Sequence, residues 1–114
     1  YKLRMQQNPT QEKRMPYQCI SIEEAKQLID AQDVTLLDIR DKMSFEAGHI
    51  NHSIHVSNEN VESVLASADK NKPLIIYCYH GNSSQGAADY FYNMGFKQAY
   101  SVDGGYEIWK LKLN

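Results

Sequence analysis

Pro73-Leu74-Ile75-Ile76-Tyr77-Cys78-Tyr79-His80-Gly81-Asn82-Ser83-Ser84 is the stretch that decides how this chain folds. Four consecutive apolar or aromatic residues after a proline predict a strand buried on both faces, as in a parallel sheet covered on each side. The polar run from Tyr79 to Ser83 predicts a loop. Ser84 to Met94 predicts a helix, with small Gly86, Ala87 and Ala88 permitting close packing and Gly95 ending it. Cys78 therefore stands at the carboxyl end of a strand, where α/β sheets place their ligands, and just before a helix N-terminus. Most free cysteines are inert packing residues. Here a curled loop and the positive end of a helix dipole would aim N–H groups at the sulfur and favour the thiolate, which makes Cys78 the candidate nucleophile.

The alternation of strand and helix continues on either side of this stretch. Towards the N-terminus, Tyr17 to Ile20 predicts a short strand, and Ser21-Ile22-Glu23-Glu24 reads as a capping box opening a helix to about Asp30. Val34 to Ile39 predicts a buried strand, Asp41 caps a short helix that Gly48 helps to end, and Ser53 to Val56 is a weak strand. A helix from about Asn60 to Ala68 follows, broken by Lys70-Asn71-Lys72-Pro73. Beyond Gly95, Gln98 to Val102 predicts a last strand, Asp103-Gly104-Gly105 a turn, and Tyr106 to Leu111 a terminal helix. Such alternation implies an α/β domain, a mostly parallel central sheet of about five strands with helices on both faces.

Length and charge narrow the function. A chain of 114 residues builds one core, with no room for a separate cofactor domain. The net charge is −2, and the first eighteen residues hold Lys2, Arg4, Lys13 and Arg14 against Glu12 alone. The remainder is therefore acidic, which argues against a nucleic-acid partner. No apolar run is long enough for a membrane span or a signal core, and two lone cysteines, Cys19 and Cys78, suit a reducing compartment. The expectation is a cytoplasmic protein with no membrane partner. Residues 1–16 read as a polar N-terminal extension or a cloning scar, and residues 17–114 as the domain.

The loop after Cys78 suits an anion. Gly81 permits positive φ and Asn82 tolerates left-handed geometry, so N–H groups can converge just beyond the sulfur. Two reactions use such a cradle: sulfur transfer through a persulfide, and phosphate ester hydrolysis through a phosphocysteine. A transferring phosphoryl group calls for an arginine fork, which cysteine-dependent phosphatases place six residues after the cysteine. Ser84 occupies that position, and no arginine follows Arg40. A persulfide needs only backbone donors and a hydroxyl or two, so sulfur transfer is favoured.

Four segments in order, Leu37-Asp38-Ile39-Arg40, Phe45-Glu46-Ala47-Gly48-His49-Ile50, the Cys78 loop and Asp103-Gly104-Gly105-Tyr106-Glu107-Ile108-Trp109, resemble the successive signatures of a rhodanese domain. The resemblance runs from about Tyr17 to Lys110 and is closest to single-domain bacterial thiosulfate sulfurtransferases. It implies a ping-pong reaction with no cofactor, in which Cys78 takes the outer sulfur of thiosulfate, the donor, and passes it to cyanide, a small thiol or a thioredoxin-like protein. It also implies that Tyr79, His80, Gly81, Asn82, Ser83 and Ser84 bind the substrate, chiefly through backbone N–H groups. Many single-domain relatives carry arginine where Ser83 stands. A non-enzymatic persulfide carrier or regulatory module is the alternative, and a cysteine-dependent phosphatase a more distant one.

Other conspicuous residues have plainer readings. Asp38 and Arg40 are read as structural, Asp38 satisfying nearby backbone and Arg40 pairing with an acid such as Glu46. His49, His52 and His55 are spaced like ligands but lie on a loop and a strand that scatter them, so no metal is expected. His80 is a candidate cation near neutral pH, Cys19 a packing residue at a strand edge, and Tyr79 a wall of the pocket mouth. Tyr90, Tyr92, Tyr100 and Tyr106 are read as packing and surface.

Overall fold

The computed structural model describes residues 17–113, and the segment 1–16 lies outside the described residues. In chain order the elements are β1 (Gln18–Ile20), α1 (Ile22–Ala31), β2 (Thr35–Asp38), α2 (Lys42–Ala47) and β3 (Ile54–His55). They continue with α3 (Val61–Ser67), β4 (Leu74–Tyr77), α4 (Ser83–Asn93), β5 (Ala99–Val102) and α5 (Gly105–Leu113). The five strands form one sheet in the order β1-β5-β4-β2-β3, and every pairing is parallel. The expected α/β architecture is present, with boundaries within two residues of those read from the sequence.

Strand alternation sorts the core into two layers. On β4, Ile75 and Tyr77 join Ile20, Ala25, Leu36, Val102, Tyr106 and Trp109 beneath α1 and α5. Leu74 and Ile76 point the other way and join Leu37, Val64, Ala88, Phe91 and Phe96 beneath α3 and α4. Leu74, Ile75, Ile76 and Tyr77 have no exposed surface. Each such side chain contributes about 1.5–3 kcal/mol through burial, which makes β4 the strand on which the sheet depends most.

The helix ends follow local chemistry. Ser21 and Glu24 close both halves of the capping box, at 3.0 and 2.9 Å, and Asp41 accepts from the Ser44 N–H at 3.0 Å to start α2. After β2 the chain moves outward to β3, and after β4 it moves to β5 on the opposite side. The carboxyl ends of β2 and β4 thus flank the point where strand order reverses, the place where open parallel sheets form a crevice. Asp38 ends the first of these strands and Cys78 follows the second. No helix among the described residues is long and apolar enough to cross a membrane.

Candidate functional site

Side-chain parity brings three polar groups together under α4. Cys78 continues the Leu74 and Ile76 row of β4, and Ser101 continues the Ala99 row of the neighbouring β5, so both face α4. Ser84, in the first turn of that helix, lies between them. Its hydroxyl is 3.4 Å from Cys78 Sγ and 2.7 Å from Ser101 Oγ. Ser84 and Ser101 are fully buried, and Cys78 is 4% exposed.

The loop delivers its N–H groups to the same sulfur. The Gly81 and Ser84 N–H groups donate to Cys78 Sγ at 3.2 and 3.3 Å. Burial pushes the Cys78 thiol up, but the Ser84 hydroxyl and the N–H groups of Ser84, Gly81 and His80 more than offset it, and the thiol is held below its ordinary value of 9.0. Among the described residues, the N–H groups of Asn82 and Ser83 at the start of α4 have no carbonyl partner. They remain open to an anion on the sulfur.

What holds the curl is the turn before α5. The Tyr106 N–H donates to the Cys78 carbonyl at 2.8 Å and the Glu107 N–H to the Tyr79 carbonyl at 3.1 Å. Orphan donors of one helix thus fix the loop that feeds another. This requires near-contact of backbones: a Cβ on Gly105, where φ is +60°, would lie 2.5 Å from the Tyr79 oxygen and 2.6 Å from that of Cys78. On the loop side, Gly81 has φ +97° and its Cβ would meet the Gly104 nitrogen at 2.9 Å. The left-handed bend falls on Gly81 alone. Asn82, expected to share it, is right-handed at φ −92°, because it already leads into α4.

Arg40 lies beside this centre but is not available to it. Asp38 accepts the Arg40 backbone N–H at 2.8 Å and its guanidinium at 2.7 and 3.1 Å, and the same guanidinium donates to the Gly48 carbonyl at 2.7 Å. It stacks on the Tyr106 ring, 4.2 Å from the centroid. The expected structural role holds, but the partner is Asp38 rather than Glu46. The two residues are separated by one position at the end of a strand, so their side chains lie on one side, whereas Glu46 points outward from α2. Tyr79 covers this ion pair, and its hydroxyl is 2.9 Å from Ser44 Oγ. Its ring therefore forms a wall between the loop and α2.

The remaining candidates are dispersed. His80, Asn82 and Ser83 are exposed on the rim. His49 stacks on Phe45 and pairs with its carbonyl, His55 pairs with the Arg40 carbonyl, and His52 sits at a positive φ of 71° in a turn. No cluster of metal ligands occurs among the described residues. Cys19 is exposed on edge strand β1 rather than packed. Desolvation of its sulfur and the adjacent Asp103 carboxylate push its thiol up, away from reactivity. A wide cleft lined by Lys42, Val56, Asn60, Ala87 and Tyr90 lies alongside, and Cys78 does not line it.

Sequence reasoning missed Ser101 and the two amides at Tyr106 and Glu107. A serine in an otherwise apolar last strand was the one local signal for the first.

Comparison with known proteins finds relatives in sequence and in fold. A profile for the rhodanese-like domain matches residues 21–112. The chain is 48% identical over 94 residues to the thiosulfate sulfurtransferase GlpE of Pseudomonas aeruginosa, covering 82% of this chain and 84% of that protein. It is 45% identical over 96 residues to the GlpE of Pseudoalteromonas translucida, covering 84% and 91%. Among solved structures, a rhodanese-related protein from Thermoplasma volcanium superposes with a TM-score of 0.72 at 25% identity, over 85% of this chain and 94% of that one. A rhodanese-like domain protein from Staphylococcus aureus gives 0.70 at 25% identity, over 81% and 90%.

Proposed function

The chain belongs to the rhodanese-like domain family, and we propose that it moves sulfane sulfur from thiosulfate to a nucleophilic acceptor through a persulfide on Cys78. The observation that carries this reading is the convergence on one buried sulfur of the Gly81 N–H, the Ser84 N–H and the Ser84 hydroxyl. A sulfur so surrounded is biased towards the nucleophilic thiolate and offers a stable seat for a second sulfur.

In the first half-reaction the Cys78 thiolate attacks the outer sulfur of thiosulfate. A sulfur–sulfur bond forms on Cys78, the donor's own sulfur–sulfur bond breaks, and its electron pair leaves on sulfite. The new persulfide anion lies where the free N–H groups of Asn82 and Ser83, at the positive end of the α4 dipole, offset its charge. In the second half-reaction cyanide, a small thiol or a thioredoxin-like protein attacks the outer sulfur and the thiolate returns. A cytoplasmic setting, where thiols stay reduced, suits such a cycle.

Phosphatase chemistry fits poorly. At the position where a phosphatase carries its arginine, Ser84 is buried and turned onto the sulfur, and Arg40 is closed off by Asp38. The test is thiocyanate formation from thiosulfate and cyanide. Cys78→Ala is expected to abolish it with the circular dichroism spectrum unchanged, and turnover at the wild-type rate sinks the proposal. Intact mass after thiosulfate alone separates enzyme from carrier: one added sulfur that no small acceptor removes identifies the carrier.

A further inference from the structure

Ser101 belongs to none of the signature segments, yet its hydroxyl ends a chain of three buried polar atoms, Cys78 Sγ, Ser84 Oγ and Ser101 Oγ, at spacings of 3.4 and 2.7 Å. Among the described residues neither serine hydroxyl has another side-chain or backbone partner. Three linked atoms make two hydrogen bonds and can use two protons. With Cys78 as a thiol there are three, so one hydroxyl or thiol proton has no acceptor within the chain, a costly arrangement where both serines are fully buried and Cys78 is only 4% exposed. With an anionic sulfur there are two. Ser101 then donates to Ser84, Ser84 donates to the sulfur, and every proton is placed.

We propose that Ser101 is a positioning residue for the sulfur chemistry: by donating to Ser84 Oγ it turns the Ser84 proton onto Cys78 and so favours the anionic forms of that sulfur. Without Ser101, the Ser84 hydroxyl rotates freely between donating to the sulfur and accepting from it, and the preference for the anion weakens. The Ser101 hydroxyl itself does not touch the reacting atoms. Its effect passes through one oxygen, which distinguishes it from a group that merely fills space.

This inference rests on Cys78 being the nucleophile, but its test needs neither thiosulfate nor an acceptor. The rate of alkylation of Cys78 by iodoacetamide, read by peptide mapping so that Cys19 does not interfere, is followed against pH. Loss of one charge-assisted hydrogen bond in Ser101→Ala is expected to move the midpoint up by about one pH unit, roughly a tenfold loss of thiolate at neutral pH. Ser101→Thr, which keeps the hydroxyl, is expected to stay at the wild-type midpoint. Ser101→Cys, close in volume but a weaker donor, is expected to fall between, and answers the question if the alanine variant does not fold. In a Ser84→Ala background the further change Ser101→Ala is expected to move nothing. A wild-type midpoint in both Ser101→Ala and Ser101→Cys overturns the proposal. So does an effect of Ser101→Ala that survives undiminished without the Ser84 hydroxyl. Failure of thiocyanate formation with these shifts intact would instead fall on the proposed function.

Discussion

At the scale of single residues, the most constrained position is a glycine, which has no side chain at all. Gly105 holds φ +60° and lies against the two carbonyls that the Tyr106 and Glu107 N–H groups anchor. Any Cβ there must push those oxygens outward, and with them the backbone that carries Cys78. Gly105→Ala is therefore expected to lower stability by at least ~2 kcal/mol, combining left-handed strain with loss of the anchoring bonds. Urea denaturation measures the first effect and alkylation of Cys78 the second. A variant as stable and as reactive as wild type would mean that the Asp103-Gly104-Gly105 turn does not fix the loop. Arg40 is a contrasting case. Its charge could be taken for an anion-binding group, but the buried pair with Asp38 neutralises it, and removing either partner would leave an uncompensated charge in the core.

At the scale of elements, β4, the loop and α4 work as one unit: the strand sets the height of the sulfur, the loop curls over it, and the helix presents N–H groups to it. The thiol is held below 9.0 because these donors outweigh burial. A group whose folded value is depressed contributes stability that is complete above its unfolded value and disappears as pH falls through the folded one. The stability difference between wild type and Cys78→Ala is accordingly expected to rise with pH up to about 9 and to flatten beyond it. Paired urea titrations across that range check the slope, and a difference that falls with pH would contradict the donor arrangement. The unit was legible in the sequence because its parts are contiguous: an apolar run, a polar loop and a helix start need no knowledge of the rest of the chain. The capping box of α1 and the Asp41 cap were legible for the same reason. The contributions of Ser101, Tyr106 and Glu107 were not. They depend on β5 lying next to β4 and on which face Ser101 takes in that register, both of which are set by the assembled sheet. The partner of Arg40 was misread because Asp38, Asp41 and Glu46 all lay within reach in sequence, and only the end of β2 determines which one faces it.

For the molecule as a whole, charge works against the proposed donor. The chain carries a net −2 with His neutral, and because Lys2, Arg4, Lys13 and Arg14 face only Glu12 before residue 17, the rest of the chain holds eight basic against thirteen acidic residues. Arg40 is sealed by Asp38 and the loop from Cys78 to Ser84 carries no lysine or arginine, so thiosulfate, a dianion, would meet helix dipole and backbone N–H groups there without a fixed cation from the loop itself. Ser83 offers a place to add one, since it is exposed at the first position of α4 on the rim of the same loop. A guanidinium there would stand about 6 Å from a bound dianion, an attraction of roughly 1.4 kcal/mol at the dielectric constant of water. Ser83→Arg is thus expected to lower the KM for thiosulfate about tenfold at low ionic strength while leaving kcat nearly unchanged, because the charge assists the donor in ground and transition states alike. The gain should shrink as salt is raised towards 0.5 M, where screening extends over only about 4 Å. A KM that does not fall, or one that falls equally at every salt concentration, would mean that the backbone N–H groups of the loop already supply all the anion binding this site can use.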